Sequence, residues 1–234
     1  MISVIIPIHN TPTEYINECF ISMDNQTFTD FEVIIVNDGS DIETTKYIRE
    51  NARSNYRIFE LKKSGISNAL NFGINVSSNE ILCRMDADDI MMPNRLELQY
   101  QFMLENENVD ILGTQIELFG NQTGFSTHPF DVHPEIMIES GWFFNHPTVM
   151  YRKSSIAKIG GYNSNFDGTE DLEMWCRALA NGLVLKNLQD VLVKHRRHNL
   201  CSTVVNDLAR VSEMNNNIRR HYGEKIKNKN IWNH

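Results

Sequence analysis

The sequence predicts an α/β fold in which a mostly parallel sheet is flanked by helices. Short, continuous apolar runs, such as residues 3–6 and 31–36, are typical of strands that are covered on both faces. These runs alternate with segments whose apolar residues recur at helical spacing. Strands and helices in this alternation require right-handed crossovers between parallel strands, which is why the sheet is expected to be mostly parallel.

Four strands and three helices are predicted in the first part of the chain. The strands cover residues 3–6, which Pro7 ends, and then 31–36, 56–61 and 81–83. The helices cover residues from about 13 to 25, 43 to 51 and 65 to 75, and the first is capped by Thr11 or Thr13.

The later part of the chain is predicted to be mixed. We expect a helix over 94–105, a strand over 110–119, a hairpin within 120–134, a strand over 145–151, a helix over 154–159, a helix over 169–181 with Thr169 as N-cap, a strand over 191–194, a helix over 204–222 and a loose basic tail over 225–234. Neither a repeat nor a low-complexity linker is present, so residues 1–234 are expected to form a single domain. Within this domain we distinguish a first half (residues 1–105), a second half (residues 106–203) and a C-terminal helix and tail (residues 204–234).

Composition limits the function classes. The 234 residues are 41% hydrophobic and 22% charged, which is ordinary for a globular protein. A net charge of −8 argues against a nucleic-acid partner. The four cysteines form no Cys-x-x-Cys pair, which argues against a zinc knuckle or disulfide framework and favours a reducing compartment. Because no signal peptide or membrane span is visible, we expect a cytoplasmic protein.

Three carboxylates follow the predicted strand at 81–83. On an extended backbone, Asp86 and Asp88 would point the same way and converge on one point, with Asp89 beside them. Two hard oxygen ligands suit Mg²⁺ or Mn²⁺, with substrate phosphates completing the coordination shell. The alternative is an acidic turn at the end of a strand.

Polar residues also follow two other predicted strands. Asn10 follows the first strand and Asp38 follows the second, and ligands gather at the carboxyl ends of such strands. Asp38 could accept a hydrogen bond from the base or ribose of a nucleotide, or it could stabilise a turn or cap a helix. No glycine-rich turn follows the first strand, which disfavours a dinucleotide-binding, hydride-transfer enzyme.

Glu170 and Asp171 open a predicted helix. Acids in a first turn are ordinary helix stabilisers, but an ionised carboxylate facing a site could also act as a general base. Trp175, one turn later, is interpreted as a core residue rather than as a sugar-stacking platform. His198, with Arg196 and Arg197, could neutralise a pyrophosphate or bind a metal, or could form a solvated basic loop.

These segments, in this order, resemble glycosyltransferase family 2, the inverting enzymes with the GT-A fold. The resemblance rests on residues 3–10 (SVIIPIHN), 26–40 (QTFTDFEVIIVNDGS), 86–89 (DADD), 146–150 (HPTVM), 160–162 (GGY), 170–171 (ED) and 196–198 (RRH). It implies a Rossmann-like sheet with a smaller, mixed acceptor-side region, so that residues 1–105 would form the nucleotide-sugar-binding half and residues 106–203 the acceptor-side half. This chain departs from the family where Asn37 replaces a frequent aspartate, and where residues 62–71 lack the usual Ala-Arg-Asn.

The resemblance also implies roles for individual residues. Pro7, Asn10 and Asp38 would line a nucleotide pocket, Asp86 would lie near the ribose, Asp88 would bind the metal, with Asp86 as a further metal candidate, Asp171 would be the base and His198 would lie near the diphosphate. Asp89, His146, Glu170 and Trp175 are candidates on the acceptor side.

The expected enzyme is therefore a metal-dependent inverting glycosyltransferase with an Asp-x-Asp motif. It would use Mn²⁺ or Mg²⁺ and a nucleotide-diphosphate sugar, UDP-linked, and would act on a glycan or lipid-linked acceptor in polysaccharide biosynthesis. The alternatives are a sugar-phosphate nucleotidyltransferase and a non-catalytic module that binds nucleotide sugars. The basic C-terminal helix is interpreted as a solvated face that packs on the domain or on a partner subunit, as in a homodimer; the alternative is a peripheral contact with the inner face of a membrane.

Overall fold

A computed structural model describes residues 1–139, 143–199 and 208–228. Its strands are β1 (Ile2–Ile8), β2 (Phe31–Asp38), β3 (Tyr56–Leu61), β4 (Ile81–Arg84), β5 (Ile90–Met91), β6 (Ile111–Gly120), β7 (Gly124–Ser126), β8 (Met150–Arg152) and β9 (Leu185–Arg197). Its α-helices are α1 (Thr13–Asp24), α2 (Ile42–Asn51), α3 (Ile66–Val76), α4 (Arg95–Glu105), α5 (Pro134–Glu139), α6 (Lys153–Lys158), α7 (Glu170–Ala180) and α8 (Leu208–Asn228). Two short 3₁₀ turns cover His146–Thr148 and Ser164–Phe166.

The described strands form one continuous sheet in the order β3-β2-β1-β4-β8-β6-β9-β5, with β7 paired to β6. Strands β1 to β4 are mutually parallel. Beyond β4 the sheet is mixed, because β8 runs antiparallel to both β4 and β6, whereas the long β9 runs parallel to β6. The predicted fold class is therefore confirmed.

Helices cover both faces of the sheet. The side chains of β1 alternate, so Ile6 packs in one cluster with α1 and α4 while Ile5 packs in a second cluster with α3 and α7. All seven residues of β1 are buried, as expected for a strand covered on both faces. Because β1, β2 and β4 are parallel neighbours, the residues that follow them lie along the same edge of the sheet.

Two details of the first part differ from the sequence prediction. Strand β1 does not end at Pro7 but continues to Ile8. Its register with β4 reaches only Ile5, so the missing N–H of Pro7 removes no hydrogen bond on that side. Helix α1 begins after Pro12 and has no side-chain cap, so the prediction of Thr11 or Thr13 as the cap is wrong.

The second part differs more. The segment His146–Thr148 is a 3₁₀ turn rather than a strand. Strand β9 is longer than predicted, because it pairs with β6 along most of its length, and it includes His195, Arg196 and Arg197. Helix α8 runs to Asn228, so Lys225 is helical and not part of a loose tail. The predicted helix start at 204–207 and the tail at 229–234 lie outside the described residues. A hairpin is present, but it pairs the end of β6 with β7 (Ile116 with Ser126 and Leu118 with Gly124), so only its second strand lies within the predicted range 120–134.

Candidate active site

Asp86 lies just after β4 and is held by an arginine. The Arg84 guanidinium donates one hydrogen bond of 2.7 Å to Asp86 Oδ2 and a second to Oδ1. Residues 86–89 form a turn, in which the Asp89 N–H donates to the Asp86 carbonyl. The premise that Asp86 and Asp88 lie on an extended backbone and point the same way is therefore wrong, and the two carboxylates have different partners.

Asp88 faces the end of β9. His198 Nε2 donates to Asp88 Oδ2 at 2.9 Å, which joins residues 110 positions apart in sequence. The side chains are 25% (Asp88) and 12% (His198) exposed, and the Tyr15 ring lies 5.3 Å from the imidazole ring. This pair offers a carboxylate oxygen and an imidazole nitrogen that solvent can reach.

Asp89 is fully buried and has a structural role. It accepts hydrogen bonds from the Arg196 N–H at 2.8 Å and from His195 Nδ1 at 3.0 Å. Burial opposes the charging of His195, but the Asp89 carboxylate outweighs this and raises the pKa of the ring. Asp89 has no exposed surface, and its assignment as an acceptor-side candidate stays a prediction.

A second group of potential metal ligands lies deeper. Ligand atoms of Asp86, Asp89 and His195 lie within 4.8 Å of one another. However, both oxygens of Asp86 bond to Arg84, and those of Asp89 accept hydrogen bonds from β9. A cation there would have to displace these bonds, and the burial of Asp89 leaves little room for a substrate phosphate.

The residues after β1 and β2 are bound to each other. Asp38 accepts hydrogen bonds from the Ser64 N–H at 2.7 Å, the Ser64 hydroxyl at 2.9 Å and the Gly65 N–H at 2.9 Å. Asp38 thus stabilises the turn into α3, as the alternative interpretation proposed, and a role in reading a base stays a prediction. Asn10, with a positive φ of 51°, accepts from the Asp41 N–H at 2.8 Å. Pro7 is buried within β1.

Glu170 and Asp171 begin α7. Asp171 Oδ1 accepts from the Leu172 N–H at 2.7 Å, and Glu170 Oε2 accepts from the Gly168 N–H at 2.6 Å. Burial raises the pKa of Asp171, and burial together with the Asp171 charge raises the pKa of Glu170 to about 7. The Thr169 hydroxyl does not cap this helix but donates to the Phe166 carbonyl at 3.2 Å. An acid pair with raised pKa values is typical of a proton-transfer site.

His146 packs beside this acid pair. Its Nε2 hydrogen-bonds with the Tyr162 hydroxyl at 3.0 Å, and its Nδ1 lies 3.8 Å from Glu170 Oε1. Burial lowers the pKa of His146 well below its usual value, which keeps the ring neutral. Trp175 is 2% exposed and contacts His146 from the core. Trp175 is thus a core residue, as the preferred interpretation has it, and its assignment as an acceptor-side candidate stays a prediction.

Two links bring these segments to one edge of the sheet. Arg84, at the end of β4, donates its N–H to the Val149 carbonyl at 2.9 Å, next to the 3₁₀ turn whose His146 lies 3.8 Å from Glu170 at the start of α7. Asp167, just before α7, accepts from the Ser67 N–H at 3.3 Å, in the same turn that Asp38 stabilises. Asp38, Asp86 and Asp171 are therefore gathered around one region.

Sequence reasoning missed Arg84. It ends a buried strand two residues before Asp86 and is itself 4% exposed. An arginine at the end of an apolar strand and beside an acid is a detectable signal, because buried arginines are rare unless they are paired.

Comparison with known proteins gives consistent results. The model of the family described as glycosyl transferase family 2 matches residues 3–160. The O-antigen biosynthesis glycosyltransferase WbnJ of Escherichia coli is 34% identical over 207 residues, which cover 85% of this chain and 80% of WbnJ. An Escherichia coli UDP-Gal:alpha-D-GlcNAc-diphosphoundecaprenol beta-1,3-galactosyltransferase is 33% identical over 78% of this chain and 68% of its own length.

Among solved structures, S. aureus TarS 1-349 in complex with UDP-GlcNAc matches with a TM-score of 0.76 and 20% identity, covering 96% of this chain and 66% of that chain. A longer TarS structure matches with a TM-score of 0.70 and 23% identity, and there the match covers 85% of this chain and 37% of TarS. At this level of identity the likeness concerns the fold.

Proposed function

Since this chain belongs to glycosyltransferase family 2, we propose that it transfers a sugar, with inversion, from a UDP-linked donor to a hydroxyl of a glycan or lipid-linked acceptor. That it is a glycosyltransferase follows from the family, and the donor and acceptor classes are the proposal. The name of one Escherichia coli relative includes a UDP-galactose donor and a diphosphoundecaprenol-linked acceptor. The observation that carries the proposal is that Arg84, which binds Asp86 at the end of β4, is bonded next to the 3₁₀ turn whose His146 lies 3.8 Å from Glu170, the neighbour of Asp171 at the start of α7.

We assign the divalent cation, Mn²⁺ or Mg²⁺, to Asp88 and His198. The fit rests on the chemistry of the pair: a carboxylate oxygen and an imidazole nitrogen 2.9 Å apart, both partly exposed. When bound, the cation supplies neutralisation of the charge that develops on the departing diphosphate. The deeper group of Asp86, Asp89 and His195 is disfavoured, because Asp89 has no exposed surface, whereas Asp88 and His198 are both partly exposed.

Asp171 is the proposed general base. An acceptor hydroxyl loses its proton to the Asp171 carboxylate as the oxygen attacks the anomeric carbon, and the sugar–phosphate bond breaks on the opposite face. The raised pKa of Asp171 makes its carboxylate a stronger base than that of an exposed aspartate. Glu170 and neutral His146 lie beside it and are proposed to face the acceptor.

Product analysis tests this proposal. The protein is incubated with Mn²⁺ and each of UDP-glucose, UDP-galactose, UDP-GlcNAc and GDP-mannose, with and without undecaprenyl-diphosphate-linked GlcNAc. Release of UDP from one UDP-sugar, stimulated by acceptor, is the expected result. In a parallel reaction with UTP and a sugar 1-phosphate, release of pyrophosphate would instead indicate a nucleotidyltransferase. Binding without turnover of any donor would indicate a non-catalytic module.

Helix α8 is proposed to present a solvated, charged face. Its buried residues Ile218, Tyr222 and Ile226 pack on the domain, and Tyr222 donates to Glu173 of α7 at 2.6 Å. Within the described residues, we find no helix with the length and apolar character needed to cross a bilayer. Pelleting with anionic liposomes, for the native chain and for Arg220→Glu with Lys227→Glu, distinguishes a membrane contact from a solvated face without exposing the core.

A further inference from the structure

Arg84 is a buried cation between the two acidic parts of the site. It is 4% exposed, and both terminal nitrogens of its guanidinium bind Asp86. Its Nε is buried and has no hydrogen-bond partner among the described residues. Burying a guanidinium carries a large desolvation cost, and one ion pair contributes too little to folding stability to offset it. This indicates that Arg84 has a role in the site.

The backbone holds Arg84 in place. The Arg84 N–H donates to the Val149 carbonyl at 2.9 Å, just after the 3₁₀ turn that carries His146. The Arg84 carbonyl accepts a hydrogen bond from Arg95 of α4 at 2.9 Å, and Arg95 also donates to the Gln99 side chain on the same helix. Arg84 is thus fixed against the segment whose His146 lies 3.8 Å from Glu170.

The groups that face Asp171 come from several elements. Glu170 and Cys176 lie on its own helix, Tyr162 lies on the preceding loop, Asp86 lies on the acidic loop, and Arg84 ends β4. Burial and the negative charge of Asp86 disfavour ionisation of Asp171. The positive charge of Arg84 favours it, and the same charge also acts on Glu170.

We propose that Arg84 is a positioning residue for both substrates of the transfer: its guanidinium orients Asp86 on the donor side, and its fixed positive charge acts on the acid pair at the start of α7 on the acceptor side. The role on the acceptor side rests on the proposed function of Asp171 as the base. A single buried guanidinium would thus link the position of Asp86 in the donor pocket to the ionisation of Asp171.

Carbon-13 NMR of the carboxyl groups tests the acceptor-side role without substrate or metal. The full chain is labelled at aspartate, Asp171→Asn identifies the Asp171 signal, and the signal is followed against pH. In Arg84→Gln we expect Asp171 to titrate at higher pH than in the native chain, whereas Arg84→Lys keeps the charge and the native titration. An unchanged titration in Arg84→Gln would overturn the proposal.

Kinetics and binding test the same residue independently. In Arg84→Gln, kcat/KM should fall about tenfold more at pH 6 than at pH 8, because the base is protonated at the lower pH. In Arg84→Lys the pH profile should be native, but UDP should bind more weakly with Mn²⁺ present, since one ammonium cannot hold both Asp86 oxygens. If Arg84→Gln fails to fold, Arg84→Lys alone tests the proposal. It would contradict the proposal by binding UDP with native affinity and showing an altered titration of Asp171.

A matched control is available on the surface. Arg49 binds both oxygens of Glu60, each at 2.6 Å, so Arg49→Gln removes an equivalent bidentate pair. We expect it to change neither the pH profile nor UDP binding. Full transfer activity in Asp171→Asn would overturn the proposed function, whereas an unaltered Asp171 titration in Arg84→Gln overturns only the role of Arg84.

Discussion

The two sides of the candidate site treat their carboxylates in opposite ways. Asp38, the last residue of β2, accepts three hydrogen bonds from the turn into α3. Glu170 and Asp171, at the start of α7, are buried beside each other, and burial raises the pKa of both. The hydrogen bonds to Asp38 stabilise the folded state. Burial of Glu170 and Asp171, in contrast, disfavours their ionised forms. The comparison suggests that the β1–β2 edge is a rigid scaffold and that reactivity is concentrated at α7.

The largest effect is expected from Asp171→Asn. Because this change removes the base and leaves Asp88 and His198 in place, transfer should fall by about 10²- to 10⁴-fold while UDP binding with Mn²⁺ is retained. Initial rates and calorimetry on the same preparation measure the two quantities. Near-native turnover would show that the reactive acid lies elsewhere.

The next effect is expected from Asp88→Ala. The change removes the proposed cation ligand, so UDP affinity in the presence of Mn²⁺ should fall by more than about tenfold. In the absence of metal, the native and variant proteins should bind UDP equally weakly. An equal loss of affinity with and without Mn²⁺ would contradict the assignment of the cation to Asp88.

Glu170→Gln tests how much the buried, charged Glu170 side chain lowers the free energy of unfolding. The pKa of Glu170 is raised from 4.5 to about 7, so the folded state binds its proton more tightly than the unfolded state does. The free energy of unfolding should therefore fall as pH rises from about 4.5 to about 7, and the variant should escape this loss. At pH 8 the variant should be more stable than the native chain by roughly 2 to 4 kcal/mol, with little difference at pH 4.

Urea unfolding at the two pH values measures this difference. The control is Glu43→Gln, which changes an exposed acid in the first turn of α2. A stability difference between Glu170→Gln and the native chain that is the same at pH 4 and pH 8 would show that the pKa of Glu170 is the same in the folded and the unfolded state.

The smallest effect tests the scaffold side. Asp38→Asn loses one acceptor oxygen and places an amide N–H group against backbone donors, so stability should fall by about 1–2 kcal/mol. Asp41→Asn is the control, because Asp41 caps α2 by accepting from the Thr44 N–H at 2.8 Å and asparagine caps equally well. If Asp38→Asn unfolds at the native temperature, the Asp38 carboxylate does not stabilise the fold, and nucleotide binding would remain as its role.

Much of the fold could be predicted from the sequence because the first part is built from local patterns. The predicted bounds of β3 agree with the structure, and the strands before and after it differ only at their ends. The second part was harder, since its elements depend on distant partners. The predicted strand at 145–151 starts with a 3₁₀ turn, and β9 extends well beyond 191–194 because β6 pairs with it.

The site shows the same limit. The positions of Asp86 and Asp88 near a strand end could be predicted, but their partners could not, because Asp88 meets His198 across 110 residues. The burial of Asp89 and the pairing of Asp86 with Arg84 depend on where β9 and the turn at 86–89 lie. Neither follows from local periodicity.

The most direct test of the account is an anomalous diffraction map at the manganese edge, from crystals grown with Mn²⁺ and UDP. The account predicts a peak bonded to Asp88 and His198 and to the diphosphate, with Asp171 facing the open side of the same cleft. A peak among Asp86, Asp89 and His195 instead, or a diphosphate bound far from Asp88, would contradict it.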